Sequence, residues 1–325
     1  MIHIAPVSWM SAEQSAAWHT VVVASLASDL PDEPGPTPKQ VHAQLTAAGL
    51  DSRRLFWLAT ETGGAVVGVA GLRLFTSPGQ DHLAELELHV RPDRRRSEVG
   101  SQLLATAVFA AEVEQRRSLL AAADDGGPGD AFCAARGFRR VLTLDHLLLD
   151  IARADDAAAD IEHPGYELAG WTGTVPGDLA DAFAAAKNAM NDMPTGDMDY
   201  GSQTWTADRV RAMAKVLADR GDTLLTIAAL GKGEMAGYTE IVIRAGETRR
   251  ALQYDTAVVP AHRGHGLGLW VKAAMVRRLR AEHPGIVEIE TDNAQDNTHM
   301  LAVNRRLGFR SHRRTHEYQL DLPTT

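Results

Sequence analysis

Apolar positions recur at helical spacing in two corresponding places. Leu269, Ala273, Val276 and Leu279 predict a helix from about Gly266 to Ala281, and Val99, Leu103, Ala107 and Ala111 predict its partner about 168 residues earlier. Each helix follows an extended apolar stretch that is halted by a proline, Pro92 or Pro260, which lacks the N–H a sheet ladder needs. Around the second helix the pattern predicts strands at 166–169, 223–230, 236–244, 251–259, 287–291 and 316–322. Helices are predicted at 179–189, 207–218 and 298–307, the last opened by Asn297 as N-cap and ended by Gly308. Pro92 matches Pro260, Arg95 matches Arg263 and Gly100 matches Gly268 at an offset of 168; Gly68 matches Gly237 at 169, and Gly137-Phe138 matches Gly308-Phe309 at 171. Anchors in one order with so little drift indicate a duplicated mixed α/β domain. The breaker His163-Pro164-Gly165 closes an Ala/Asp-rich linker, giving expected domains at 1–155 and 163–325.

Composition narrows the class. At 45% hydrophobic and 23% charged, the 325 residues are those of a globular chain, not a disordered one. A single cysteine, Cys133, excludes a disulfide framework or thiolate zinc site within the chain and suits a reducing compartment. The first ten residues lack a signal-peptide pattern, and no apolar run approaches bilayer length, so a soluble cytoplasmic protein is expected. The net charge of −9 argues against nucleic acid as a partner. That charge is uneven: the first half has 14 Lys+Arg against 22 Asp+Glu, net −8, while the second has 19 against 20, net −1. The nearly neutral half is the better host for a polyanion.

In that half Arg263-Gly264-His265-Gly266-Leu267-Gly268 lies between strand and helix, where backbone N–H groups and the helix dipole converge on one point suited to phosphate oxygens. A dinucleotide fingerprint starting at Gly264 fails at Leu269, and a nucleoside triphosphate loop fails because Leu269-Trp270 follows Gly268. What fits is Arg/Gln-x-x-Gly-x-Gly/Ala, read as Arg263, Gly266 and Gly268. Together with the segment from Glu290 through Asn297 and Asn304 to Gly308-Phe309, it resembles the GCN5-related N-acetyltransferase (GNAT) superfamily. The duplication resembles the tandem arrangement of the mycothiol synthases.

The resemblance implies two tandem GNAT-like domains, each a mixed, mostly antiparallel sheet flanked by helices. It implies acetyl-CoA as acyl donor, held by Val258, Val259, Arg263, Gly264, His265, Gly266, Leu267, Gly268 and Asn297. The first copy departs from the pattern, with Arg96 for Gly264 and Glu98 for Gly266, a carboxylate where pyrophosphate would lie; it reads as degenerate.

Acyl transfer to an amine needs a group to take the amine's proton. Asp255 and Glu290 are the preferred candidates and Glu240 the alternative. Asn304 stands where many relatives carry a tyrosine that protonates the departing thiolate, and an amide cannot deliver a proton; Tyr254 or His299 would then serve, or no acid at all. The resemblance implies that the loop 188–200 contacts the acceptor, with Asn191, Asp192 and Glu240 as substrate contacts. No metal site is expected. The reading is a small-molecule N-acetyltransferase acting by direct transfer in a ternary complex, with an acyl-CoA-binding or sensing module and a protein-lysine acetyltransferase as alternatives. Oligomeric state is not legible.

Overall fold

The computed structural model describes residues 1–231 and 233–323. It forms two compact units, one holding 1–142, Asp197–Gly201 and the C-terminal segment from Thr315, the other holding 143–196 and 202–314. The first half of the chain runs β1 (Ile2–Val7), α1 (Ala12–Asp29), α2 (Pro38–Thr46), β2 (Ser52–Glu61), β3 (Val66–Phe75), β4 (Leu83–Val90), α3 (Val99–Val113), β5 (Ser118–Asp124), α4 (Pro128–Ala135) and β6 (Arg139–Asp150). The second runs β7 (Tyr166–Thr172), α5 (Ala180–Lys187), α6 (Ala207–Asp219), β8 (Thr223–Gly231), β9 (Glu234–Ile243), β10 (Arg250–Val258), α7 (Leu267–Glu282), β11 (Glu288–Ala294), α8 (Thr298–Leu307) and β12 (Arg310–Asp321). The strand–helix order expected from the apolar pattern is present twice.

The compact units are not the sequence repeats cut at 155–163. β6 belongs in its C-terminal part to the second unit, where it pairs antiparallel with β11 from Leu144↔Ala294 to Asp150↔Glu288. β12 correspondingly pairs with β5 from Ser118↔Asp321 to Asp124↔Thr315 in the first unit. The strand orders are β1-β2-β3-β4-β5-β12 and β6-β11-β10-β9-β8-β7. Each unit therefore completes its sheet with a strand from the other half of the sequence, satisfying ladder groups on β5 and β11 that would otherwise form an unpaired edge.

In the second unit the sheet is covered on both faces. Leu267, Leu269, Val271, Ala273, Val276 and Leu279 of α7 pack with Leu301 and Leu307 of α8, Ile289 and Ala251 on one side. Phe183 of α5, Val210 of α6, Tyr238 and Ala257 pack on the other. Two irregularities distinguish its centre. β10 and β11 pair in parallel only over Arg250↔Glu288, Ala251↔Ile289 and Leu252↔Glu290, so their C-terminal parts diverge. The β9–β10 ladder shifts register between Gln253 and Thr256, where Tyr254 and Asp255 together oppose Glu240. This is a β-bulge, which bends a strand and re-aims its side chains. Ala251 faces α7, whereas Ala257, an even number of residues on, lies in the core on the α5 side. In the first unit β4 pairs with β3 without interruption from Leu74↔Ala84 to Gly68↔Val90.

Candidate active site

After Val258 the chain makes a short 3₁₀ turn, Pro260–His262, and then enters α7 through the glycine loop. Gly264 has φ 83° and Gly266, the N-cap of α7, has φ 75°, the left-handed region that glycine enters at no Cβ cost. Helix geometry leaves the N–H groups of Leu267, Gly268 and Leu269 without intrahelical acceptors, so they are available to an anion. An added Cβ at Gly266 would stand 3.4 Å from His163 Cε1, so it is the positive φ rather than lack of space that calls for glycine here. Arg263 braces the loop at the surface: Nε donates to the Val258 carbonyl at 3.1 Å and Nη2 to Asp192 at 3.0 Å. Val259 is held by its N–H to the Ala236 carbonyl. His265 packs at a tilt against Tyr166, whose hydroxyl is 3.1 Å from His262 Nδ1.

The first unit keeps the loop's backbone without its glycines. Arg96 has φ 60° and Glu98 φ 64°, at the positions of Gly264 and Gly266, each costing roughly 1–2 kcal/mol of local strain. Arg95 repeats the brace, donating to the Val90 carbonyl and bidentately to Asp29 at 2.6 and 2.7 Å. Its cysteine is buried, and burial raises the Cys133 thiol to about 11, which leaves it protonated and unreactive.

Beside the bulge lies a buried ionic cluster that sequence reasoning missed in part. Lys187, the last residue of α5, donates from Nζ to Glu240 at 2.6 Å and to Asp255 Oδ2 at 2.7 Å. Its ammonium lies over the rings of Phe183, Trp205 and Tyr238, and the Tyr238 hydroxyl reaches Asp255 Oδ2 at 3.4 Å. Burial opposes the charge on Lys187, but Asp255 and Glu240 outweigh it and raise its pKa. Glu240 is pushed up chiefly by burial, against the pull of Lys187. Asp255 is one-third exposed and is the member of the cluster open to a partner. The signal available in the sequence was a lysine at the end of an alanine-rich buried helix, a place where a charge needs partners.

Glu290 is engaged differently from the expected role. Burial works against its ionisation, but His146 at 3.4 Å, Arg313 at 3.1 Å and Arg250 at 3.2 Å hold the carboxyl down at about 2. A carboxylate so stabilised is a poor proton acceptor near neutral pH. Asn304 is fully buried; its Nδ2 donates to Asn293 Oδ1, and its own Oδ1 has no hydrogen-bond partner among the described residues. Asn297 caps α8, accepting from the Met300 N–H at 3.1 Å. Asn191 closes its loop on both backbone groups of Gln203, and Asp192 holds Arg263. The side chains offered as substrate contacts thus shape the loop, and Asp197–Gly201 of the same segment belongs to the first unit. Tyr254 is exposed on the bulge and His299 exposed on α8. In the first unit His316 meets Asp125 at 2.8 Å, near Asp130, which accepts from Tyr318.

A glycine nest at the head of α7, a strand that parts from its neighbour and a bulge beside it form one connected arrangement. The sequence matches the description "Acetyltransferase (GNAT) family" over residues 22–138 and 189–309. The chain belongs to this family. Among solved structures, a tandem GNAT protein from the clavulanic acid biosynthesis pathway is similar over 100% of both chains, at TM-score 0.83 and 26% identity. A GCN5-related N-acetyltransferase from Sphaerobacter thermophilus is similar over 100% of this chain and 97% of its own, at TM-score 0.73 and 14% identity, a likeness of fold. Among curated protein sequences none matches this chain. As a GNAT member with two matched regions, the protein is a tandem acetyltransferase, and among the described residues no helix is long and apolar enough to cross a membrane.

Proposed function

We propose that the second unit transfers an acetyl group from acetyl-CoA to the primary amine of a small molecule in the cytosol. The observation that carries this reading is the left-handed glycine pair at the N-terminus of α7, joined directly to the strand that parts from β11 and bears Asp255 on a bulge. The N–H groups of 264–268 suit the pyrophosphate. The gap beyond Leu252↔Glu290 suits the pantetheine arm, and backbone N–H groups freed along the bulged stretch of β10 suit the thioester carbonyl oxygen, where negative charge grows during attack. Asp255 takes the proton of the attacking amine. Its Oδ2 is held by Lys187 and Tyr238, while Oδ1 has no hydrogen-bond partner among the described residues. Lys187 and the two carboxylates sum to one negative charge, which favours a cationic acceptor. The first unit, with Glu98 in the nest and no bulge in β4, is read as structural.

The second reading, an acyl-CoA-binding module without turnover, is favoured by Asn304 in the position of a proton donor. An amine panel of spermidine, tyramine, glucosamine and kanamycin with acetyl-CoA separates the two. Acetylation of at least one amine, at a rate saturable in both substrates, is the expected result; acetyl-CoA binding with turnover on none would favour the module.

A further inference from the structure

On the α7 side of the parting strands lies a set of polar side chains that the amine chemistry leaves unused. Lys272 is 2% exposed, on the core face of α7 between Leu269 and Val276. Its Nζ is 2.9 Å from Gln253 Oε1 and 5.2 Å from the centroid of the Phe309 ring. Gln253 is its hydrogen-bond partner among the described residues, although an ammonium carries three donors. The Gln253 amide is fixed, because Nε2 donates to Thr239 Oγ1 at 2.9 Å and to the Glu240 carbonyl at 2.6 Å, which turns Oε1 to the lysine.

Gln253 is the first residue past the last β10–β11 pair, Leu252↔Glu290, so this cluster sits where the strands begin to part. Strand parity places Thr291 and Asn293 on the same face of β11 as Ile289, the face covered by α7 and α8. Asn293 holds Asn304, whose buried Oδ1 is unpartnered among the described residues, and the Asn304 backbone carbonyl accepts from the Phe309 N–H at 3.1 Å. Lys272, with donors to spare, thus lies over the ring of Phe309, the residue whose N–H the Asn304 backbone holds. The fold does not require them: the matching positions of the first unit hold Leu104 and Cys133, both buried.

We propose that Lys272 is the proton donor to the thiolate that leaves during acyl transfer. This rests on the reading of the second unit as an acetyl-CoA-dependent transferase. The amine nitrogen bonds to the carbonyl carbon, the C–S bond breaks with its electron pair going to sulfur, and the Lys272 ammonium gives that sulfur one proton. Asp255 has taken one proton from the amine; being one-third exposed, it gives that proton up to solvent, and the neutral lysine regains one from water that enters once the thiol has left, which closes the cycle. Burial lowers Lys272 to about 7, and the side chains that meet it, Gln253 from β10 and Phe309 ahead of β12, are uncharged. An acid near neutrality both holds a proton and releases it readily.

The test compares wild type with Lys272→Met, using acetyl-CoA and S-phenyl thioacetate as donors and the best amine of the panel as acceptor. Thiophenolate leaves without needing a proton at neutral pH. The expected result is a fall in kcat of about 100-fold or more with acetyl-CoA, little change with the aryl thioester, and acetyl-CoA affinity and melting temperature no weaker than wild type. Because the protonated lysine is the working form, wild-type kcat should decline as pH rises through about 7, and this decline should be absent from the variant. Equal losses with both donors, or undiminished kcat with acetyl-CoA, would overturn the assignment while leaving the transferase reading intact. Wild type that binds acetyl-CoA but acetylates no amine would overturn both.

Discussion

Replacing Lys187 by methionine should lower the unfolding free energy by about 3–5 kcal/mol, the usual cost of removing one partner from a buried ion pair. Methionine fills similar space and keeps the contacts with Phe183, Trp205 and Tyr238, so packing is largely spared. What is lost is the counterion of Glu240, which is buried and 2.6 Å from Nζ, and of Asp255 at 2.7 Å. Without its counterion Glu240 is shifted further toward the neutral form, the direction in which burial already pushes it. Adding Glu240→Leu to Lys187→Met should recover much of the loss, because an apolar pair avoids the desolvation of two charges. Denaturant melts of the three proteins check this; a loss under about 1 kcal/mol in the single variant would show that the cluster is solvated, contrary to its burial.

The second large effect is on turnover. Asp255→Asn keeps the side chain's shape and one oxygen for Lys187, but it removes the proton acceptor, and kcat should drop by about 10²–10⁴-fold with acetyl-CoA affinity unchanged. A primary alkylamine is mostly protonated at neutral pH, so the variant's residual rate should keep climbing with pH as the free amine becomes available without help. Steady-state rates across pH are the measurement. Full activity in Asp255→Asn, with loss in Glu240→Gln, would move the role to the buried carboxylate.

The duplication and the glycine loop could be read from the chain because both are local. Helical period places α3 and α7, proline ends the strands before them, and only glycine enters φ 83° and 75° freely. The exchange of β6 and β12 could not be read, since an alternating strand carries no label for which sheet it completes. Lys187 and Lys272 escaped for a related reason. A lysine beside apolar helix positions is ordinarily taken as snorkelling to solvent, and only three-dimensional placement reveals Glu240, Asp255 and Gln253 as its partners. The sequence offers Glu290 as a proton acceptor on β11, but His146, Arg250 and Arg313 reach it from three other strands, one of them β6 from the first half of the sequence. Asn191 and Asp192, expected in a loop, lie in a short 3₁₀ helix, Asn188–Asp192, and their polar groups are spent on Gln203 and Arg263.

The central claim is that the glycine nest of the second unit is the acetyl-CoA site. Glu98 already sits at φ 64° at the head of α3, so a glutamate is compatible with this backbone and Gly266→Glu should fold. The added carboxylate would repel the pyrophosphate, while its Cβ would stand only 3.4 Å from His163 Cε1. Calorimetric titration of acetyl-CoA into wild type and Gly266→Glu is therefore the most direct measurement. The expected outcome is one binding event per chain in the wild type and none in the folded variant; unchanged affinity in Gly266→Glu would contradict the account.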